Sequence, residues 1–526
     1  MKRSARMALV LLLGVTMALA FVATAYATDL VYARPSLGTK FLDPHQGGNS
    51  GRYQNLNLVY DTLVFSDDGG TLYPLLAEWW EASEDYTQWT FHLRSGIVFH
   101  DGTPLNAAAV KFSFDRIVGI GNHTVAQWRY MGKDSTIEVV DDLTVRFKLS
   151  KPYPLFLTEL VYACYGIISP TAVQQHATAA DPWATEYFSS NECGSGPFQF
   201  VEYVPGERLI LGRNPNYWGG VEGVKCAAKV DRLVMRIVPD ATTRAIMLQS
   251  GEVDMAEQLP VDLLGQLATA PGIKVEYYPL HAFAEIQFNG GKAPFNNEKV
   301  RQAISHAIDV DSIINGVEKG HVLPMYGVAT QGMIGYDPTR QRPTYDVALA
   351  KQLMAEAGYP NGFETTLIWA PERRAEFDLE AVLIQEYLAQ IGIKLTLQSL
   401  AWSAELEKQL NADFDMSLMT MTSGTGDPSS IFDKYLAPPH PAAVGQYSFR
   451  WVDAPPFVAE LVEYGTTIWD PATRQHLYAF LDAVGTAATV NVPLYQIPVA
   501  FAMRSNVHGF VYDTLRRACF YFVSKD

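Results

Sequence analysis

Positive charge is scarce in this 526-residue sequence: 40 Lys and Arg stand against 56 Asp and Glu, a formal net charge of −16 at pH 7. A nucleic-acid surface needs a basic footprint, and so does an anionic membrane surface, so the balance argues against both partners. Acidity of this kind serves solubility. Metal signatures are also missing. Neither H-E-x-x-H nor C-x-x-C occurs, and the eleven histidines include no pair three or four apart, so no helix face presents two ligands. There is no P-loop, and Gly119-Ile120-Gly121 lacks the third glycine of a dinucleotide fingerprint. Gly194-Ser195-Gly196 is not a nucleophile elbow, because G-x-S-x-G is absent. The acid pairs Asp67-Asp68 and Asp141-Asp142 read as turn residues. An exported hydrolase would need a nucleophile and base within hydrogen-bond reach, and no motif points to them. The expectation is a protein that is not an enzyme and carries no cofactor and no metal.

Hydrophobic residues make up 48% and charged residues 18%, a globular composition, and the length calls for two or more domains. The N-terminus reads as a secretory leader. Lys2, Arg3 and Arg6 form a positive start, Met7 to Val22 is uncharged and apolar, and Ala25-Tyr26-Ala27 is an A-x-A cleavage site, giving a mature chain from Thr28. No other run is long and apolar enough to span a bilayer. A lipid anchor needs a cysteine at the mature N-terminus, and the first cysteine is Cys164. A soluble periplasmic protein is therefore expected. Four cysteines in an exported chain can be oxidised: Cys193 with Cys226, flanking a predicted hairpin region, is the first pairing to consider, and Cys164 with Cys519 the other.

Local patterns give an alternation of strands and helices. Trp89, Phe91 and Leu93 alternate with polar residues as in a half-buried strand, and turns follow at Ser95-Gly96 and Asp101-Gly102. Asn106 can cap a helix with Val110, Phe114 and Ile117 on one face. Asp240 caps a helix closed by Gly251, and Val300, Ile304, Ala307 and Ile308 have helical spacing. Asp346 caps another helix with Leu349, Leu353 and Ala357 on one face. Ala381, Ile384, Leu388 and Ile391 line the next, which ends at Gly392, and Ile393, Leu395 and Leu397 alternate along a strand. From Pro455 to about Ala488 the chain reads as helical, and Val492 to Met503 as one returning strand. Helix alternating with strand is α/β construction.

Several strings in order resemble the family 5 extracellular solute-binding proteins, the dipeptide, oligopeptide and nickel-chelate receptors of ABC importers. They are WTFHLRSGIVFHDGTPLNAAAVKFSFDRI from Trp89 to Ile117, YPLLAE from Tyr73, RNPNYW from Arg213, PFNNEKVRQAISHAID from Pro294 and AKQLMAEAGYPNGF from Ala350. The resemblance implies a periplasmic binding protein type II-like α/β fold, two lobes on a hinge with an extra inserted α+β domain. Residues 1–27 would be the signal peptide. Residues 28–72, 196–282 and 490–526 would form domain I, residues 73–195 the inserted domain II, and residues 283–489 domain III. It implies capture of a small solute by lobe closure and delivery to ABC permease subunits in the inner membrane, by a monomer. Peptide is the leading ligand class. Opines, sugars and metal chelates are alternatives, as is a chemosensing role.

The resemblance also nominates contacts. Trp402 in LQSLAWSAEL and Tyr495 in VPLYQIP stand where peptide receptors place cleft aromatics, and Trp128 lies in a loop where the nickel-chelate receptor has a pocket tryptophan. In FDMSLMTMTSGTGDPSSIF, peptide receptors place a tryptophan where Met421 stands and an aspartate, partner of the peptide ammonium, where Gly424 stands. An ammonium buried without a counter-charge is costly, so Asp427 is the candidate substitute. The Arg373-Arg374 pair in WAPERRAEF suits a carboxylate or phosphate in forked geometry. Asn49 and Arg52, in a Gly- and Asn-rich loop bordering the cleft of this fold, complete the set with Gln46.

Overall fold

The computed structural model describes residues 28–38, 41–46, 53–67, 71–121, 135–423, 427–436, 454–468 and 470–526. The expected leader, and with it Asn49, Arg52, Trp128 and Gly424, lies outside the described residues.

Two large sheets organise the chain. The first has seven strands in the order Ile273–Tyr278, Val499–Arg504, Met255–Glu257, Asp29–Arg34, Arg232–Ile237, Arg208–Arg213 and Phe198–Val204. Its central strand Asp29–Arg34 runs parallel to both neighbours. It is buried on both faces, as parallel strands usually are: Leu30 and Tyr32 enter one core, and Ala33 the core on the opposite face with Leu248, Leu264 and Ala502. The second sheet has six strands in the order Leu323–Pro324, Asn491–Gln496, Ala282–Phe288, Met416–Thr422, Glu364–Trp369 and Lys394–Ser399. Period-two alternation again feeds two cores. Met416 and Leu418 join one with Ile286, while Met419 and Met421 join the other with Phe283 and Ile431.

A third sheet of four antiparallel strands, Ala77–Ala82, Gln88–Leu93, Thr144–Lys148 and Thr136–Asp141 in that order, belongs to the inserted segment. The Asn106 side chain caps its helix Ala107–Gly119 by accepting from the Ala109 amide at 3.0 Å, a cap that contributes about 1 kcal/mol. The helix buries Val110, Phe114 and Ile117 as the spacing predicts. The insert does not keep a separate core: Phe91, Phe114 and Phe147 belong to the same apolar cluster as Tyr32, Phe501 and Met503 of the first lobe. The chain leaves the insert through Gly194-Ser195-Gly196, where a Cβ on Gly194 would meet the Val59 carbonyl oxygen at 2.0 Å and one on Gly196 the Val59 carbonyl carbon at 2.6 Å. Only glycine allows so close an approach.

The chain passes between the two large sheets at two adjacent places. Tyr278 pairs with Val499 at the end of the first sheet, and Phe283 pairs with Gln496 at the start of the second. The connecting residues are therefore 279–281 and 497–498. The single returning strand expected over Val492–Met503 is two strands in two sheets. Pro498, which has no N–H to offer a ladder, stands at the break. Residues 490–496, expected with domain I, thus lie with the second sheet. The helical stretch from Pro455 is likewise two helices, Pro456–Gly465 and Pro471–Ala487, the second opened by an Asp470 cap and a proline in its first turn. The buried stripe of helix Val347–Glu356 runs through Ala350 and Met354, with Leu349, Leu353 and Ala357 half-buried beside it.

The expected disulfides are not formed: none of Cys164, Cys193, Cys226 and Cys519 is bridged. Cys226 sits in the short strand Lys225–Cys226 with its thiol donating to the Tyr521 carbonyl at 3.6 Å. Cys193 is buried where Glu192 and Asp101 add to the desolvation that holds its thiol protonated, far from a reactive thiolate.

Candidate ligand-binding cleft

Strand direction decides where a ligand would sit. Glu364–Trp369 runs parallel to Lys394–Ser399 and to Met416–Thr422, so the carboxyl ends of all three share one edge of the second sheet. Ala282, entering from the first lobe, pairs with Thr422 at that edge. Gln496, leaving toward the first lobe, pairs with Phe283 there. The edge therefore faces the other lobe, and the crevice outside strand carboxyl ends is the usual ligand position of open α/β sheets.

Each of the three strands delivers a polar or aromatic group to this edge. Arg373 follows the first, Trp402 opens the helix Trp402–Leu410 after the second, and Thr420 and Thr422 close the third. The Arg373 guanidinium lies over the Trp402 indole, 4.4 Å from its centroid, and donates to the Thr420 hydroxyl at 2.7 Å and its carbonyl at 3.2 Å. Arg373 is exposed and Trp402 half-buried. The contact is of the cation–π kind. One turn along the same helix, Glu405 is buried, with Oε1 accepting from the Ser417 hydroxyl at 2.7 Å. Burial raises its carboxyl to about 7, against the opposing pull of Ser417 and Arg373.

Arg374 points the other way. Its Nε donates to Glu318 Oε1 at 2.9 Å, its Nη2 to Glu318 Oε2, and its Cζ lies 5.4 Å from the Tyr495 ring centroid. Tyr495 is fully buried in the core of the second lobe and donates to Glu380 Oε1 at 2.5 Å. Burial, with Glu318 alongside, drives the Glu380 carboxyl well above the ordinary range. Arg374 and Tyr495 are thus parts of an interior network rather than cleft walls. One hint was legible, since Glu380 lies on the apolar face of its helix with Phe377 and Ile384.

Met421 is also interior, packed among the apolar residues of the second lobe, with Lys434 Nζ 3.6 Å from its sulfur. Asp427 is buried, pairs with Arg474 at 2.6 Å and accepts from the Ser429 amide at 2.9 Å, which is a structural role. Gln46 is buried and donates to Asp43 at 2.8 Å. Of the candidates among the described residues, the structure brings together Arg373 and Trp402 at the sheet edge, and Arg374 and Tyr495 in the interior.

Sequence reasoning missed the groups by which the lobes touch. Arg516, in left-handed backbone at φ 64°, donates across the gap to the Thr422 hydroxyl at 2.8 Å. Nearer the connections, the Tyr277 hydroxyl lies 2.8 Å from His321 Nδ1 with the rings stacked, and Lys319 pairs with Asp262. Nothing in the local sequence marks these residues. Among the described residues, no three His, Cys, Asp or Glu side chains converge as a metal site.

The model of the bacterial extracellular solute-binding proteins, family 5, middle region, matches residues 71–442. The chain belongs to the family 5 extracellular solute-binding proteins. The probable D,D-dipeptide-binding periplasmic protein DdpA of Escherichia coli K12 is 30% identical to this family 5 chain over 446 residues, covering 85% of the chain and 83% of DdpA. Heme-binding protein A of Haemophilus influenzae is 34% identical over 400 residues, 72% and 71% of the two chains. The periplasmic binding protein DppA of Helicobacter pylori, solved with the peptide STSA, superposes with a TM-score of 0.79 at 28% identity, covering 95% of this chain and 98% of that one. The fold is that of the type II periplasmic binding proteins, and the family is one of solute-binding, non-catalytic proteins. No helix among the described residues of this solute-binding protein is long and apolar enough to cross a membrane.

Proposed function

We propose that the protein is a periplasmic receptor that captures a peptide or peptide-like solute between its two lobes. It then delivers the solute, as a monomer and without chemical change, to the permease of an ABC importer. The observation that carries this reading is the Arg373–Trp402 pair. A guanidinium held over an indole stands at the sheet edge where the chain enters from the other lobe. The fork recognises the carboxylate of a peptide, and the indole covers an adjacent side chain. Arg516 reaching across to Thr422 supports closure over the solute. The relatives support the ligand class: DdpA is described as D,D-dipeptide-binding, and DppA holds a tetrapeptide.

The test is a thermal-shift titration of the purified protein with Met-Leu, STSA, a D,D-dipeptide, glutathione and hemin. A ligand that binds only the folded state raises the melting temperature by RT ln(1 + [L]/Kd) in stability, about 2.7 kcal/mol at a hundredfold excess over Kd. A saturable rise with a peptide, lost in Trp402→Ala, supports the reading. A rise with hemin alone would place the protein with non-peptide receptors.

A further inference from the structure

We infer that Arg516, from the first lobe, joins Arg373, from the second, in a two-arginine clamp for an oxyanion of the solute, one guanidinium supplied by each lobe. This rests on the reading of the interlobe gap as the solute site, and it names the group of the solute that draws the lobes together.

The clamp is built on one strand end. Met416–Thr422 pairs without a break with Ala282–Phe288, so Thr420 and Thr422 point to one face and Met421 between them to the other, where it enters the interior. Two residues along a strand put the threonines about 7 Å apart. Each carries an arginine on its hydroxyl: Arg373 Nη2 donates to Thr420 at 2.7 Å, and Arg516 Nη2 to Thr422 at 2.8 Å. Arg373 is exposed, and Arg516, Thr420 and Thr422 are half-buried, so none of the four is sealed from solvent. Thr422 also offers its carbonyl to Lys434 Nζ at 3.5 Å. Burial weakens the hold of Lys434 on its proton, whereas a guanidinium stays charged at any working pH, so the clamp is assigned to the arginines. The acid of the same turn as Arg516, Asp513, bonds Arg517 through both oxygens. Arg516 itself keeps left-handed backbone, a conformation that is strained for any residue but glycine and that collects at ligand clamps.

Two guanidiniums carried by opposite lobes repel as the lobes approach, and more strongly as water leaves the gap. A carboxylate or phosphate oxyanion between them reverses the sign and matches the forks in geometry. The anionic group of the solute therefore favours the closed arrangement, and a solute without it leaves like charges facing each other.

The experiment compares solutes that differ only in this group. Met-Leu, its C-terminal amide and inorganic phosphate are titrated calorimetrically into the intact protein, Arg516→Gln and Arg516→Gly, the last of which also relieves the left-handed backbone. The expected result is at least tenfold weaker binding of the amide than of Met-Leu to the wild type, and a fall of Met-Leu affinity to the level of the amide in both variants. An Arg516 that merely tethers the lobes would weaken acid and amide by the same factor, and that result overturns the assignment. So does Met-Leu binding undiminished in both variants. Equal binding of acid and amide to the wild type, a comparison that needs no variant to fold, overturns the clamp and leaves peptide capture standing. Saturable binding of phosphate, lost in both variants, with neither peptide form bound, upholds the clamp and overturns the peptide reading. Absence of binding by all three solutes overturns both.

Discussion

Arg373 and Arg374 are neighbours in sequence and opposites in structure, and that contrast can be measured. Arg374→Met removes the cation that holds Glu318, whose side chain is 0% exposed, and leaves Glu318 beside Glu380. Removing one partner of a buried pair costs about 3–5 kcal/mol, because the other charge is left uncompensated. For a lobe of this size each kcal/mol moves the melting temperature by about 2–4 °C, so a fall of roughly 6–20 °C follows. The double variant Arg374→Met/Glu318→Gln removes the stranded charge as well and should recover most of that loss. Arg373→Ala deletes an exposed cation and its stacking on Trp402, so its apo stability should change by no more than about 1 kcal/mol. It should, however, lose the peptide-induced rise in melting temperature. Thermal and urea unfolding of the four proteins, with and without a bound peptide, reads all of this at once. Arg374→Met melting within 2 °C of wild type (roughly one kcal/mol at most) would refute the buried network, and an undiminished peptide response in Arg373→Ala would remove Arg373 from the cleft.

Two further outcomes follow from buried groups. Alkylation after unfolding without reductant should label all four cysteines, and dithiothreitol should leave the melting temperature unchanged; a mass two units low and a reductant-sensitive transition would restore a disulfide. Glu159 has its carboxyl raised by burial, and secondarily by Asp427, to about 8. The folded state therefore binds this proton more tightly than the unfolded state, and the linked stability is full below the unfolded carboxylate value, then falls as pH rises toward 8. The loss approaches about 5 kcal/mol at most. Glu159→Gln should flatten that part of the profile between pH 5 and 8, and parallel profiles for the two proteins would contradict the burial.

What the sequence made legible was whatever a local period or cap encodes. Asn106, Asp240 and Asp346 cap the helices they were expected to cap, and the alternation around Phe91 is a strand. Depth was not legible. Tyr495 lies on a strand buried to the hydroxyl, and an aromatic in an apolar strand reads the same whether it ends in a core or a cleft. Arg373 and Arg374 diverge because consecutive residues of a turn point apart, and which one met a buried glutamate depended on Glu318, more than fifty residues away. The second crossing is hidden in the sequence for a related reason. Asn491–Gln496 and Val499–Arg504 share one hydrophobic pattern, and only pairing with different partners separates them. Glu159 carried no signal, since an acid on a four-residue helix ordinarily faces water.

The apolar interior common to the insert and the first lobe means that residues 73–195 are no detachable cassette. Cutting them out would strip the cover from Tyr32, Phe501 and their neighbours, and the excised piece would lose the apolar partners it shares with them. Evolution can therefore change single side chains of the insert, but it cannot trade the whole module for another without rebuilding the body to which it is fused.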